Sequence, residues 1–377
     1  MPQALESLRI VDFSRVLAGP LATMVLADLG ATVTKVERPG SGDETRTWGP
    51  PYDETGNATY FQAVNRNKTS VALDLRSVEG LERARELVAA ADVVVENFRP
   101  DVMANLGLGY EDLRAANPGL VYCSITGFGV SPRGAELPGY DLLVQAVGGL
   151  MSITGTRDGE PQKVGVAVVD VICGLFASIG ILAALRHRDR TGAGQRVEVD
   201  LLSSLLAALV NQGSAFTVAG EVAQRMGTAH PSIAPYELLR AADGDLVLAV
   251  GNERQFRALA QVLGCPELAD DADFSSNAQR VVNRDRLREQ LEMRLRRRPI
   301  EHWVAALSGV RVPVGQVNDI AGAFELAERL GLEPIAEVPR PDGGMARLTR
   351  NPIRMSATPA TYRSAPPALA ERAPSWP

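Results

Sequence analysis

The sequence predicts an α/β protein in which helices cover both faces of a parallel β-sheet, followed by a smaller α+β domain. Segments typical of strands alternate with segments typical of helices over the first 210 residues. The strand-like segments are apolar throughout, as in strands that are buried on both faces. From about residue 225 the pattern changes to mixed strands and helices with an arginine-rich stretch.

The larger part of the chain is made of short apolar strands connected through helices, which is typical of βαβ units. We predict strands at 8–13, 31–39, 69–75, 92–98 and 120–129, and helices at 19–30, 77–91 and 110–118. A glycine-rich turn, a strand and a helix at 187–210 complete this part. The large domain is therefore predicted to span residues 1–215.

The smaller domain is predicted at residues 225–330. It contains a strand and a helix at 243–264 and an arginine-rich helical stretch at 278–308. Because charge runs are usually solvated, residues 286–299 are predicted to form an exposed helix face. The last twenty residues are rich in proline and alanine and are predicted to be extended.

Composition argues for a cytoplasmic protein that binds neither nucleic acid nor membrane. The net charge is −6 and the pI is about 5.4, which disfavours polyanionic partners. Cys123, Cys173 and Cys265 are widely spaced, so buried free thiols in a reducing cytosol are predicted rather than disulfides or a zinc site. The N-terminal segment lacks the basic start and apolar core of a signal peptide.

Residues 163–185 form an apolar run that is long enough to suggest a membrane span. Gly165, Gly174 and Gly180 interrupt the run, and its first half, "VGVAVV", is β-branched. We therefore predict a buried strand that enters a buried helix.

Common cofactor and hydrolase motifs are missing from the sequence. Glu37 ends the second predicted strand, where a ribose-binding acid would stand, but the preceding loop "SRVLAGP" is not GxGxxG. Neither GxxxxGK[ST] nor GxSxG occurs, and His187, His230 and His302 are too scattered for a metal cluster. We therefore expect no metal site.

Polar segments follow two of the predicted strands, where ligands of parallel sheets bind. Residues 35–49 carry Arg38 and Arg46, and are equally compatible with an anion site and with a plain surface loop. Residues 96–102 offer Asn97 for hydrogen bonding and Phe98 for stacking.

Asp170 is the single charged residue in the apolar run 164–185. A buried carboxylate costs free energy unless it is paired, protonated or used in chemistry. An aspartate between a strand and a helix is a good N-cap, worth about 1 kcal/mol. The same position suits a nucleophile, because the helix N-terminus favours the ionised form. The residues alone leave both roles open.

The order of several long motifs resembles the family III CoA-transferases, the formyl-CoA and carnitine CoA-transferase family. The resemblance covers residues 7–350 and rests on "DFSRVLAGPLATMVLADLGATVTKVERPGSGDETR", "NRNKTSVALDL", "ADVVVENFRP", "GYDLLVQAVGGLMSITG" and "TGAGQRVEVDLL". It implies a Rossmann-like large domain, a small domain, and a C-terminal segment, 331–377, that returns to the large domain. It also implies a homodimer of interlocked, ring-shaped chains.

The resemblance implies that Asp170 is the nucleophile. In that family an aspartate attacks the thioester of the donor acyl-CoA to form an anhydride, which CoA converts into an aspartyl-CoA thioester that the acceptor acid then attacks. Coenzyme A is a substrate in this reaction, and no other cofactor is expected. The resemblance also implies a set of residues that bind CoA or substrate: Val16, Leu17, Ala18, Arg38, Leu73, Leu75, Arg76, Asn97, Phe98, Arg99 and Tyr140.

Departures from the family pattern limit which substrates and which phosphate-binding residue are expected. Asn105 replaces a phosphate-binding arginine, for which Arg99 is a candidate substitute, and Leu17 replaces the glutamine of formyl-CoA transferases. Oxalate and formate are therefore not expected as substrates. The segments "GTAHPSIAPYE" and "AVGNERQF" resemble the branch that moves CoA from succinyl-CoA to dicarboxylic acids, whereas the usual C-terminal "GEHT" helix is missing.

Two alternatives accompany the transferase interpretation. An α-methylacyl-CoA racemase would need a histidine where Tyr140 stands. Tyrosine, with an ordinary pKa near 10, is a poor proton shuttle at neutral pH. A non-catalytic CoA-binding scaffold would have no use for an intact Asp170.

Overall fold

The computed structural model describes residues 3–341 and 343–369, which form two compact units. The large unit comprises the described residues within 1–150, 163–221 and 333–377, and the small unit comprises 151–162 and 222–332. The sequence indicated an uninterrupted large domain over 1–215, but residues 151–162 group with the small unit.

The large unit is built on a six-stranded, wholly parallel sheet with the strand order β3-β2-β1-β4-β5-β6. Its strands are β1 (Arg9–Asp12), β2 (Thr32–Glu37), β3 (Lys68–Ala72), β4 (Val93–Glu96), β5 (Val121–Thr126) and β6 (Arg196–Asp200). This is the Rossmann-like order, in which the chain direction across the sheet reverses between β1 and β4.

Helices cover both faces of the sheet. The helices of the large unit are α1 (Ala18–Asp28), α2 (Thr59–Val64), α3 (Val78–Ala89), α4 (Val102–Asn105), α5 (Tyr110–Arg114), α6 (Pro132–Ala135), α7 (Asp141–Val147), α9 (Val168–Thr191), α10 (Leu201–Ala208) and α11 (Val210–Ala219). The short α8 (Leu150–Ile153) falls mostly in the segment that groups with the small unit. In β1, Ile10 packs into the core shared with α1 and α9, whereas Val11 packs into the core shared with α3. Neighbouring residues thus face opposite cores, which explains why the strands are apolar throughout.

The predicted strand before Asp170 is wrong. Residues 164–167 form no strand, and α9 begins at Val168 and continues to Thr191, where Gly192 adopts a positive φ of 75°. One side of α9, with Cys173, Ala177 and Ile181, is buried in the core. β-branched residues entered the helix because this tertiary packing outweighs their local preference for strands.

Within the described part of the chain, α9 is the one continuous helix long and apolar enough to cross a membrane, and the bent pair α10 and α11 would qualify together. A core helix of a globular protein passes the same test. The buried side of α9 against the sheet fits that explanation.

The C-terminal segment returns to the large unit through a hairpin of β10 (Ile335–Pro339) and β11 (Met345–Thr349) and an extended stretch. The Arg363 guanidinium donates to the carbonyls of Ala27 and Ala31 at the end of α1, and the Asn67 side chain binds the backbone of residues 361–364. The described part of the predicted tail is extended, and residues 370–377 lie outside the described residues.

The small unit contains an antiparallel sheet of β7 (Tyr236–Arg240), β8 (Asp245–Ala249) and β9 (Val314–Gln316). Its helices are α12 (Glu253–Val262), α13 (Asn277–Val282), α14 (Arg284–Leu295), α15 (Ile300–Gly309) and α16 (Ile320–Arg329). In α14, Leu287 and Leu291 face the core, whereas Arg286 and Arg288 are exposed and paired with acidic residues, as predicted for this stretch.

Candidate active site

A cavity of about 830 Å³ opens at the carboxyl ends of β1, β2, β4 and β5 in the large unit. This is the crevice where the strand order reverses and where ligands of such sheets bind. Of the predicted site residues, only Leu17 is not in its lining. The cavity brings together Val16, Ala18, Arg38, Leu73, Leu75, Arg76, Asn97, Phe98, Arg99, Tyr140 and Asp170.

Asp170 is the third residue of α9, not its N-cap. The cap position belongs to Ala167, whose side chain makes no capping bond. The capping role is taken by Asp141 at the start of α7, because its Oδ1 accepts the N–H of Val169 at 2.8 Å and the N–H of Asp170 at 3.4 Å. The Asp170 carboxylate is thus not occupied by capping.

The electrostatic surroundings of Asp170 oppose its negative charge. Burial, and secondarily the nearby charge of Asp141, raise the pKa of Asp170 from an ordinary 3.8 to about 7. Burial, together with the negative charges of Asp170 and Asp141, raises the pKa of Tyr60. A carboxylate poised near neutral pH in a cavity has the properties expected of a catalytic group.

Gln145 and Asp141 together hold the start of α9 through hydrogen bonds. Its side chain is fully buried, its Nε2 donates to Oδ2 of Asp141 at 2.6 Å, and its Oε1 accepts the N–H of Val164 at 2.8 Å. Asp141 and Gln145 stand four residues apart in "DLLVQ", so they share one face of α7. The four-residue spacing is visible in the sequence, but the backbone amides that Gln145 and Asp141 bind lie 19 and 28 residues away in the chain.

Asn97 was predicted to bind ligand, but its amide is used within the protein. Its Oδ1 accepts the N–H of Arg15 at 2.8 Å and its Nδ2 donates to the carbonyl of Arg15 at 2.7 Å. The Arg15 guanidinium lies 4.7 Å from the centre of the Phe98 ring and pairs with Glu44 at 3.0 Å. Arg15 thus lines the cavity, although it was not among the predicted site residues.

Comparisons with known proteins agree with this arrangement. CoA-transferase family III matches residues 5–373. A succinate–glutarate CoA-transferase of Agrobacterium fabrum is 42% identical over 97% of this chain and 93% of its own length. A succinyl-CoA:glutarate CoA-transferase of Mus musculus is 41% identical over 97% of this chain and 84% of its own length. The chain belongs to CoA-transferase family III.

The fold of this CoA-transferase is also found among solved structures. The crystal structure of a CAIB/BAIF family protein from Brucella suis has a TM-score of 0.86 and 43% identity, and the match covers 98% of this chain and 97% of that one. The fold built on the six-stranded parallel sheet therefore matches that crystal structure over nearly its whole length.

Arg46 is not an anion-binding residue of this CoA-transferase, contrary to one of the two sequence interpretations. Its guanidinium donates two bonds of 2.7 Å to Glu37, contacts the carbonyl of Pro367 and stacks 3.8 Å over the Phe61 ring. Glu37, the candidate ribose-binding acid, is therefore also occupied. Arg46 thereby binds the C-terminal segment, and Glu37 holds the Arg46 guanidinium in place.

Several arginines of the CoA-transferase remain available at the cavity. The side chains of Arg38, Arg76 and Arg99 are exposed in the lining, while Asn105 is not part of it. Arg76 pairs with Asp74 at 3.0 Å, but its side chain is 84% exposed, so the ion pair is weak. Among the described residues, no group of three or more His, Cys, Asp or Glu is arranged to hold a metal ion.

Proposed function

We propose that this enzyme transfers CoA from succinyl-CoA to a small dicarboxylic acid such as glutarate, with Asp170 as the covalent nucleophile. The observation that carries the proposal is the position of Asp170 in the cavity, with its capping role taken by Asp141. The substrate class follows the names of the two relatives at about 40% identity.

The proposed reaction begins when a carboxylate oxygen of Asp170 attacks the thioester carbonyl carbon, the carbon–sulfur bond breaks and CoA thiolate leaves. The thiolate then attacks the aspartyl carbonyl of the mixed anhydride and releases succinate, which leaves CoA bound to Asp170 as a thioester. The acceptor carboxylate repeats these steps in reverse order and departs as its CoA thioester, which regenerates the Asp170 carboxylate.

Two features of the cavity support this chemistry. The first N–H groups of a helix have no partner within the helix, and Ala18 at the start of α1 lines the cavity beside Asp170, so these amides can stabilise a developing oxyanion. Partial burial limits the access of water, which would hydrolyse the anhydride. The proposed reaction needs no cofactor, because CoA takes part as a substrate. The cytoplasmic location of the protein stays a prediction.

The substrate assignment is tested with a panel of acids and two donors. The enzyme is incubated with succinyl-CoA or acetyl-CoA and each acid, and new thioesters are identified by mass spectrometry. We expect glutaryl-CoA or a related dicarboxyl-CoA from succinyl-CoA. Transfer to monocarboxylic acids alone would contradict the proposed substrate class.

Racemase activity is expected to be absent. Proton exchange at the α-carbon needs an acid and a base on opposite faces, each with a pKa near the working pH. Tyr140, which stands where the racemase would need its histidine, lies in the cavity and is 64% exposed. We expect no deuterium uptake from heavy water into 2-methylacyl-CoA under conditions that support transfer. Rapid uptake without acyl transfer to any acid would favour the racemase instead.

The proposed assembly is an interlocked homodimer. Helices α7, α9, α10 and α11 pack together and leave large apolar side chains exposed, which is typical of a surface covered by another chain. These are Leu142, Leu143, Val147, Leu175, Phe176, Ile179, Leu182, Leu206, Val210, Phe216 and Val218. We propose that a second copy covers them, in line with the family resemblance.

The dimer proposal predicts a molar mass in solution of twice the 40.3 kDa of one chain. Because interlocked chains cannot separate while folded, the mass should not fall on dilution to nanomolar concentration. Light scattering and mass photometry measure this. A folded species with the mass of one chain would contradict the proposal.

A further inference from the structure

The turn between β1 and α1, residues 14–16, is held by side chains. Each backbone polar group from the N–H of Ser14 to the N–H of Val16 binds a side chain rather than another backbone group. The side chains come from residues on or after three different strands: Asp12, Lys35, Asp43 and Asn97. These side-chain hydrogen bonds replace those of a helix or sheet, and they hold the backbone in a conformation found in neither.

Lys35 and Asp43 form the innermost part of this arrangement. Lys35 Nζ lies 2.9 Å from Oδ2 of Asp43 and donates to the carbonyl of Ser14 at 2.8 Å, and neither side chain of the pair is exposed. The Asp43 carboxylate accepts the N–H of Val16 at 3.3 Å. A buried ion pair rarely adds stability over apolar side chains, so its presence calls for another explanation.

The conformation that the pair maintains is strained. Val16 has a φ of 69°, in the left-handed region that β-branched residues seldom adopt. Strain of this kind persists only where the surroundings enforce it, and it is concentrated at functional sites. Val16 also lines the cavity, so the strained residue and the proposed nucleophile share one surface.

The packing of α1 against α9 places this turn beside Asp170. A Cβ on Gly174 would lie 2.5 Å from the carbonyl oxygen of Ala18, and Ser178 Oγ lies 3.4 Å from the carbonyl oxygen of Ala22. The two helices therefore run side by side in one direction and in register. Asp170 stands one turn before Gly174, at the same end of the helix pair as the residue 14–16 turn, and both Asp170 and Val16 line the cavity.

We propose that Lys35 and Asp43 are positioning residues for the transfer reaction: through the backbone of Ser14 and Val16 they hold the turn, and with it the first amides of α1, beside Asp170. The role rests on the proposed function of Asp170. The conformational part of the proposal concerns the backbone of the turn and is measurable without any substrate.

The test is a double-mutant cycle between Asp43 and Val16. Asp43→Ala is expected to lower kcat roughly 100-fold, the size of effect that a misplacement of about 1 Å produces. Asp43→Asn keeps a hydrogen-bond acceptor for the N–H of Val16, so its kcat should fall less, about 10-fold. Because glycine adopts a positive φ without strain, adding Val16→Gly should raise the kcat of either Asp43 variant several-fold.

A matched control and a second readout separate positioning from general stability. Asp28 is also a buried carboxylate in an ion pair, with Arg66, but it holds the C-terminal segment and does not line the cavity. Asp28→Ala should lower the melting temperature without lowering the kcat of the folded fraction. In hydrogen exchange without substrate, amides of residues 14–19 should exchange faster in Asp43→Ala but not in Asp28→Ala.

The outcomes are distinguishable. Equal kcat in the Asp43→Ala and Asp28→Ala proteins, or no recovery on adding Val16→Gly, would overturn the positioning role. If Asp43→Ala does not fold, the same comparison of kcat is made between Asp43→Asn and the double variant Asp43→Asn, Val16→Gly. A wild-type protein that transfers CoA to no acid would instead refute the proposed function, while the hydrogen-exchange result would still decide the conformational claim.

Discussion

Replacing Asp170 by Ala or Asn is expected to reduce CoA transfer by roughly four orders of magnitude or more, the scale on which enzymes lose activity with their nucleophile. Neither side chain can form the anhydride. The fold should survive, because Asp141 rather than Asp170 binds the amides at the start of α9. Steady-state kinetics with succinyl-CoA, with circular dichroism as the control for folding, measures both effects.

The same substitution makes a prediction about stability. The raised pKa of Asp170, about 7, means that the folded protein keeps a proton which the unfolded chain releases between about pH 4 and 7. Rising pH therefore lowers the stability of the wild type across this window. Asp170→Asn removes that dependence and should unfold at a higher temperature than the wild type at pH 8.

Near wild-type turnover in the Asp170→Ala or the Asp170→Asn protein would refute Asp170 as the nucleophile.

Asp141→Asn is expected to shift the pH dependence of the reaction to lower pH. Asp170 must be ionised to attack, so kcat/KM of the wild type should fall as the pH drops below about 7. Removing the Asp141 charge removes one cause of the raised pKa of Asp170. The midpoint of the acidic limb should therefore move down, while the Asn oxygen can still accept the N–H of Val169.

Asp141→Ala serves as the comparison, because it removes both the charge and the acceptor. We expect its kcat to fall roughly 100-fold, since the start of α9 loses the contacts that orient Asp170. The measurement is a kcat/KM profile from pH 5 to 9 for all three proteins. An acidic limb that stays in place, or moves upward, in Asp141→Asn would contradict the electrostatic coupling of the two carboxylates.

Much of the fold was predictable because strands buried on both faces leave a simple trace in the sequence. The five strands expected before residue 130 all occur, with ends within a few residues of those expected. The segment before Asp170 was wrong for a definable reason. Its β-branched residues favour a strand locally, but α9 gains more by packing along α1 and the sheet.

The candidate site was predictable in position but not in its internal bonding. The ends of parallel strands meet at one edge, so Arg38, Asn97 and Phe98 were expected together, and they do line one cavity. Which polar side chains stay available depends on the partners that the folded chain brings to them. Asn97 binds the backbone of residue 15 and Arg46 binds Glu37, and neither pairing leaves a local signal.

Trapping the covalent intermediate shows directly whether Asp170 is the nucleophile. The enzyme is incubated with succinyl-CoA, quenched with hydroxylamine or borohydride, digested and mapped by mass spectrometry. Both the anhydride and the thioester react at the side-chain carbonyl, so we expect modification of Asp170, and none in the Asp170→Asn protein. An adduct on Cys173 or another residue, or no adduct on Asp170 while the enzyme turns over, would contradict it.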